Sequence, residues 1–147
     1  AAFLEAAKTG DTNALRALLA EGVKVHVADW AGWPALNWAA LMLRNESIKF
    51  LLDSGADIEY LAKGGKNSGR PLMMAAKKYN GLDTVKLLVS RGADVNGADQ
   101  YGRTPLIMAA RYGRTWARDR RNELARRMTA IELDRAIWLL QTWKARK

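Results

Sequence analysis

Cysteine is absent from the 147 residues, which excludes a disulfide framework, Cys-ligated zinc, iron–sulfur clusters and a cysteine nucleophile. Histidine occurs once, at His26, so there is no His pair for a metal site and no material for a His-based relay. A loop hydrogen bond is its expected role. No long apolar run is present either: Pro34 to Leu43, interrupted by Asn37, is about half the ~20 residues a membrane-spanning helix needs. Acidic residues are the scarcer sign, with 15 Asp and Glu against 24 Lys and Arg and a formal charge of +9. These absences predict no catalytic residues, no cofactor and no metal.

What is present suffices for one folded domain, because a chain of this length buries roughly 68–70% of its unfolded surface and needs no covalent staple. The charge is uneven. Residues 1–110 carry 13 basic and 11 acidic side chains, whereas residues 111–147 carry 11 and 4, so the basic character belongs to the last quarter. Such a segment attracts acidic proteins, nucleic acid or anionic surfaces.

Paired alanines recur at Ala6-Ala7, Ala39-Ala40, Ala75-Ala76 and Ala109-Ala110, spaced by 33, 36 and 34 residues. A second series keeps the same phase: Leu18-Leu19 before Gly22, Leu51-Leu52 before Gly55-Ala56-Asp57, and Leu87-Leu88 before Gly92-Ala93-Asp94. A fixed period of this size is the mark of a stacked repeat. Within each unit, Pro at a first helical turn (Pro105) suits its preset φ. A short helix follows through the alanine pair, with Gly113 ending the last of them. A second helix, opened by Asp83 in the third unit, buries Val85, Leu87, Leu88 and Val89 and closes at Gly92. Small side chains on the first helix let neighbouring units approach closely.

Two stretches, Asp99-x-x-Gly102-x-Thr104-Pro105-Leu106-x-x-Ala109-Ala110 and Val85 through Asn96, match the two signature segments of the ankyrin repeat, and over about residues 1–113 the chain resembles an ankyrin-repeat protein. The resemblance implies an all-α repeat solenoid of helix-turn-helix units with hairpin loops. The expected partition is a capping unit at 1–28, units at 29–62 and 63–98, and a closing unit at 99–147 interrupted by a basic helical insertion near 114–130. Pro34 stands where the family has Thr, and Asn37 stands where it has His, free to bond a neighbouring loop. The acids Asp29 and Asp99 fall at the family's turn position and are expected to be structural. Gly64 to Gly69 superficially resembles a phosphate loop, but its spacing is wrong and no strand precedes it.

Carrying the family's concave recognition surface onto this chain implies partner contact by Trp30, Ala31, Trp33, Leu41 and Met42, then Asn67, Ser68, Lys77, Lys78 and Tyr79, then Gln100, Tyr101, Arg103, Arg111 and Tyr112. The set is rich in Trp, Tyr and Arg, which dominate protein-interface hot spots. An alternative for Trp30 and Trp33 is to fold back on the glycine-rich tip of the third unit. Trp38, beside the alanines, is expected in the core. The expected function is therefore a non-catalytic protein-interaction module, in the manner of inhibitors, immunity proteins, effectors or scaffold components, whose partner is another protein bearing an acidic patch. The alternative is nucleic-acid or anionic-surface binding through Arg114, Arg118, Arg120, Arg121, Arg126 and Arg127, which can equally be a solvated cap. The chain alone is expected to be a monomer. Ala1 is not an initiator Met, so the numbered chain has been processed or cropped. The compartment is open between the cytoplasm and an exported or periplasmic location.

Overall fold

The computed structural model describes residues 1–64, 68–78 and 80–112. Asn67, Tyr79 and Gly113, together with the arginine-rich insertion from Arg114 to Arg127 and the closing helix expected after it, lie outside the described residues. Seven helices run through the described chain: α1 (Ala2–Thr9), α2 (Thr12–Ala20), α3 (Ala35–Leu41), α4 (Asn45–Asp53), α5 (Pro71–Ala76), α6 (Leu82–Ser90) and α7 (Pro105–Tyr112). Extended pairing among these residues is limited to single bridges, Ala28 with Pro34 and Ala62 with Gly69.

The helices pack as successive pairs, α1 on α2, α3 on α4 and α5 on α6. First helices stack in one row, α1, α3, α5, α7, and second helices in another, α2, α4, α6. The first row is the drier. Every residue of α5 is buried, whereas α2 buries only Leu15 fully. Its close stacking follows from side-chain size, since Ala7, Ala39, Ala40, Ala75 and Ala76 are all wholly inaccessible. Larger residues above and below them, Phe3, Leu36, Leu72 and Met74, interdigitate between the rows. The second helices contribute Leu15, Ile48, Leu51, Val85 and Leu88 at helical spacing.

Helix ends show how local chemistry sets this geometry. Asp11 caps α2 by accepting the Ala14 N–H at 2.9 Å, and Thr104 caps α7 by accepting the Ile107 N–H at 3.3 Å. Pro34 has no side chain to do the same, and α3 starts without a side-chain cap. The third second-helix begins one residue earlier than its sequence indicates: Gly81 holds the cap and Leu82 is the first helical residue. Asp83 lies inside the first turn, where a negative charge still meets the exposed N–H dipoles. Gly22, Gly55 and Gly92 follow the second helices with positive φ.

At the end of α1, Gly10 takes φ +84 and its N–H returns to the Ala6 carbonyl at 2.9 Å. Thirty-three residues later the same place is held by Leu43, the one described non-glycine with positive φ, at 58°. Its unit retains the helix-ending pattern, with the Arg44 N–H bonded to the Ala39 carbonyl at 2.8 Å. Arg44 then reaches back one unit and donates its Nε–H to the Lys8 carbonyl at 2.9 Å, so the end of α3 is tied to the end of α1.

The hairpin loops interlock in the same manner. Asn37 Nδ2 donates to the carbonyls of Tyr60 at 3.2 Å and Gly69 at 3.1 Å, the loop bond open to it from its sequence position. Arg70 donates to the Glu59 carbonyl at 2.6 Å and the Ala98 carbonyl at 3.1 Å, while the Glu59 carboxylate accepts the Asp94 N–H at 2.7 Å.

Gly10→Ala tests the helix-end geometry. An L side chain there meets an unfavourable backbone region, and its Cβ would stand 3.1 Å from Arg44 Cδ. The expected cost is about 1–2 kcal/mol in denaturant unfolding.

Candidate partner-binding face

The candidate face is assembled from the turns that precede α3 and α7 and from the C-terminal ends of the first helices. The two turns have the same hydrogen-bond plan. Asp29 Oδ1 accepts the N–H groups of Ala31 and Trp33, each at 3.0 Å, and Asp99 Oδ1 accepts those of Tyr101 and Arg103, each at 2.9 Å. Both acids therefore hold their turns together. They differ in what reaches the second oxygen. Asp29 Oδ2 accepts the Trp38 indole N–H at 2.9 Å, whereas Asp99 Oδ2 takes the Arg103 guanidinium at 2.6 Å.

Burial pushes the Asp29 carboxyl upward. The N–H bonds from Trp33, Trp38 and Ala31, with the charge of Lys8, outweigh it and hold the group below its ordinary value of 3.8.

From the first turn, Trp30 projects with 99% of its surface exposed. Trp33 does the opposite, being 3% exposed, and does not stand on the surface as a partner contact. Its indole lies over Gly64, where an added Cβ would collide with Nε1, so this is the fold-back onto the third unit's loop. Its ring also packs on Trp38, with centroids 4.8 Å apart and planes tilted by 41°. Ser68 is likewise buried, its Oγ accepting from Arg103 Nη2 at 3.1 Å.

The other expected contacts remain accessible to different degrees. Met42, Tyr101 and Tyr112 are exposed large residues, Gln100 and Arg111 are exposed, and Ala31, Leu41, Lys77, Lys78 and Arg103 are half-buried. Two clusters emerge. At the C-terminal side, Lys77 lies near Lys78 and Arg103; burial first, then those two charges, pushes its amine below the ordinary range. The Arg103 guanidinium lies 5.0 Å from the Tyr101 ring centroid, and that of Arg111 lies 5.7 Å from Tyr112. At the N-terminal side, Trp30, Ala31, Trp33, Trp38 and Leu41 join Leu4, Glu5 and Lys8 around a groove of about 630 Å³.

Leu4, Glu5 and Lys8 also line the groove, outside the positions that the family resemblance implies. The signal for Lys8 is in the repeat: Lys8, Leu41, Lys77 and Arg111 each follow an alanine pair, so they occupy one position in four successive units.

His26 is exposed beside Asp57 and Tyr60 at a cavity of about 20 Å³. Among the described residues its side chain makes no hydrogen bond, so the expected loop bond is not formed there. Among those residues, too, no three His, Asp or Glu side chains converge as metal ligands, and no helix is long and apolar enough to cross a membrane.

A family model described as ankyrin repeats, in three copies, matches residues 1–62 and 59–119. The chain belongs to the ankyrin-repeat family. Ankyrin arrays are protein-interaction modules, and as a rule non-catalytic. Over 118 residues this ankyrin array is 34% identical to the mouse "Ankyrin repeat, SAM and basic leucine zipper domain-containing protein 1", a match spanning 77% of this chain and 24% of that protein. The protein of the same name from Colobus guereza is 33% identical over 118 residues, with the same coverage. That from Oryctolagus cuniculus is 34% identical over 116 residues, covering 76% of this chain and 23% of the relative. The array thus spans about a quarter of the length of these relatives.

Trp33→Ala removes a buried indole from between two units and is expected to cost about 3–5 kcal/mol, read as a lower unfolding midpoint. Asp29→Asn keeps the turn acceptors but opposes an amide NH₂ to the Trp38 N–H, costing about 1 kcal/mol at neutral pH. Because the folded Asp29 carboxyl titrates below its unfolded value, its stabilisation is complete above that value and lost as pH falls through the folded one. The difference between wild type and Asp29→Asn should therefore shrink in acid unfolding below the ordinary value of 3.8.

Proposed function

We propose that this chain is a non-catalytic binding module that seats a partner protein across its concave face, and that the partner presents an acidic patch to the Lys77, Lys78, Arg103 and Arg111 side. The observation that carries the reading is the 99% exposure of Trp30 on a turn pinned by Asp29. An indole carried on a pinned turn leaves little backbone freedom to lose on docking, and its burial against a partner is the kind of contact that dominates interface energetics. Tyr101 at 63% and Tyr112 at 44% exposure extend the same face. Their neighbouring cations supply steering and orientation for an acidic surface.

The interlocked loops support a preformed platform, which limits the ordering cost of association. The working partition is 1–28, 29–62, 63–98 and 99–147, with the array monomeric when alone. Regulators of the masking kind, such as inhibitors, immunity proteins or effectors, work by this mode of binding.

Trp30→Ala is the decisive variant, because removal of a fully exposed side chain should change stability by no more than about 0.5 kcal/mol. Partner capture from nuclease-treated lysate, followed by titration of the recovered protein, should show affinity reduced by about 30-fold, corresponding to ~2 kcal/mol. Undiminished affinity would place the partner elsewhere on the array. Recovery of nucleic acid alone from a parallel capture without nuclease, lost on neutralising Arg118, Arg120, Arg121, Arg126 and Arg127, would reassign binding to the basic segment.

A further inference from the structure

The groove beside Trp30 already contains a cation. Lys8 Nζ lies 4.2 Å from the centroid of the Trp38 ring and 3.8 Å from Glu5 Oε2, and its charge is felt by the Asp29 carboxylate. Three features make this a setting for positive charge. The indole face carries the negative lobe of its quadrupole. The same indole donates its N–H to Asp29 at 2.9 Å, and a carboxylate acceptor shifts electron density into the ring. Among the side chains of the lining, Glu5 and Asp29 carry two negative charges against the single positive charge of Lys8, and the Ala1 main chain stands at the same rim.

The occupant is held loosely. The Lys8 and Glu5 side chains retain 32% and 67% of their exposure, and ion pairs so exposed to water contribute little net stability. The cavity, about 630 Å³, falls within the size range of small-ligand sites. Trp33 and Trp38 line one part of it, Leu4, Leu41 and Ala31 supply apolar wall for an aliphatic stem, and Trp30 stands at its side.

We propose that this groove is a receptor for a cationic side chain, the guanidinium of an arginine or the ammonium of a lysine on a partner polypeptide, and that Lys8 is the internal occupant it displaces. The proposal rests on the partner reading only in placing that side chain on a polypeptide. The groove's preference for positive charge stands on its own geometry. A partner would then meet opposite demands at the two ends of the face, a cation at the Trp38 groove and acids at Lys77 and Arg103, which fixes its direction along the array.

The test uses the full chain, as wild type and as Lys8→Ala, labelled with ¹⁵N. N-acetyl-arginine amide, N-acetyl-lysine amide and the neutral analogue N-acetyl-citrulline amide are titrated while the indole N–H resonances of Trp33 and Trp38 are followed, assigned with Trp33→Phe and Trp38→Phe. Saturable shifts at Trp38 in the millimolar range are expected for a cation, with Kd about fivefold lower in Lys8→Ala than in wild type. Citrulline should bind at least fivefold more weakly than arginine, and Glu5→Gln added to Lys8→Ala should weaken the cation about threefold. Tighter binding of the arginine or of the lysine derivative identifies which cation the groove takes.

If Lys8→Ala disturbs the amide spectrum, Lys8→Met, which keeps an apolar stem on Trp38 without charge, carries the same comparison. No saturable shift in the neutralised variant, equal affinity for citrulline and arginine, or equal affinity in wild type and variant would each overturn the proposal. Partner capture on Trp30→Ala is a separate measurement, so a failed groove and a failed partner face give different patterns.

Discussion

Close approach of the first helices is the constraint on which the remaining architecture depends. A methyl side chain at the same phase of successive units allows α1, α3, α5 and α7 to stack, with Ala7, Ala39, Ala40, Ala75 and Ala76 removed entirely from water. A bulkier residue at any of them would force the row apart and open voids around Phe3, Leu36 or Met74, because interiors at crystal-like density have no spare volume. Once that row is tight, the loops that connect the units must lie side by side. Their backbone groups then find partners in the next loop, as Asn37, Arg70 and Glu59 show.

Asp29 and Asp99 show how one local solution yields two surfaces. Each carboxylate pins its turn with one oxygen and leaves the other for a donor from its own unit. Where that donor is the Trp38 indole, the site becomes aromatic and retains negative charge beside Glu5. Where it is the Arg103 guanidinium, the acid is neutralised, and Lys77 and Lys78 dominate the surroundings. The chemical polarity of the face thus follows from a difference at one hydrogen bond.

The fold was legible because every structural demand is stated several times in the chain. Four alanine pairs and three Leu-Leu-to-Gly runs specify helix, phase and period, and a single ambiguous unit is corrected by its neighbours. The face was legible only in part. Trp33 occupies a turn position where exposure is the local expectation, but its fate is set by Gly64, some thirty residues away, across which the indole can lie. No local pattern encodes that approach. Lys8 was hidden for another reason: the first unit lacks the turn motif of the others, so it reads as a cap, although α1 supplies a wall of the groove. The start of α6 was misplaced by one residue because Asp83 has the chemistry of a helix opening, whereas Leu82, behind Gly81 at the cap, is the first helical residue.

Asn37 has a role in the dynamics of the array that its place in the hydrogen-bond network makes visible. Solenoids of this kind behave as chains of nearest-neighbour couplings, and they open from wherever the coupling is weakest. By holding the Gly69 carbonyl as well as the Tyr60 carbonyl of its own unit from a side chain in α3, Asn37 adds a polar coupling between the second unit and the loop of the third, on top of the apolar stacking. Separating the two units must break the buried bond to Gly69, which adds to their mutual cooperativity. A bond of this kind raises the cost of opening at that junction, so that the loops it joins open together more readily than one at a time.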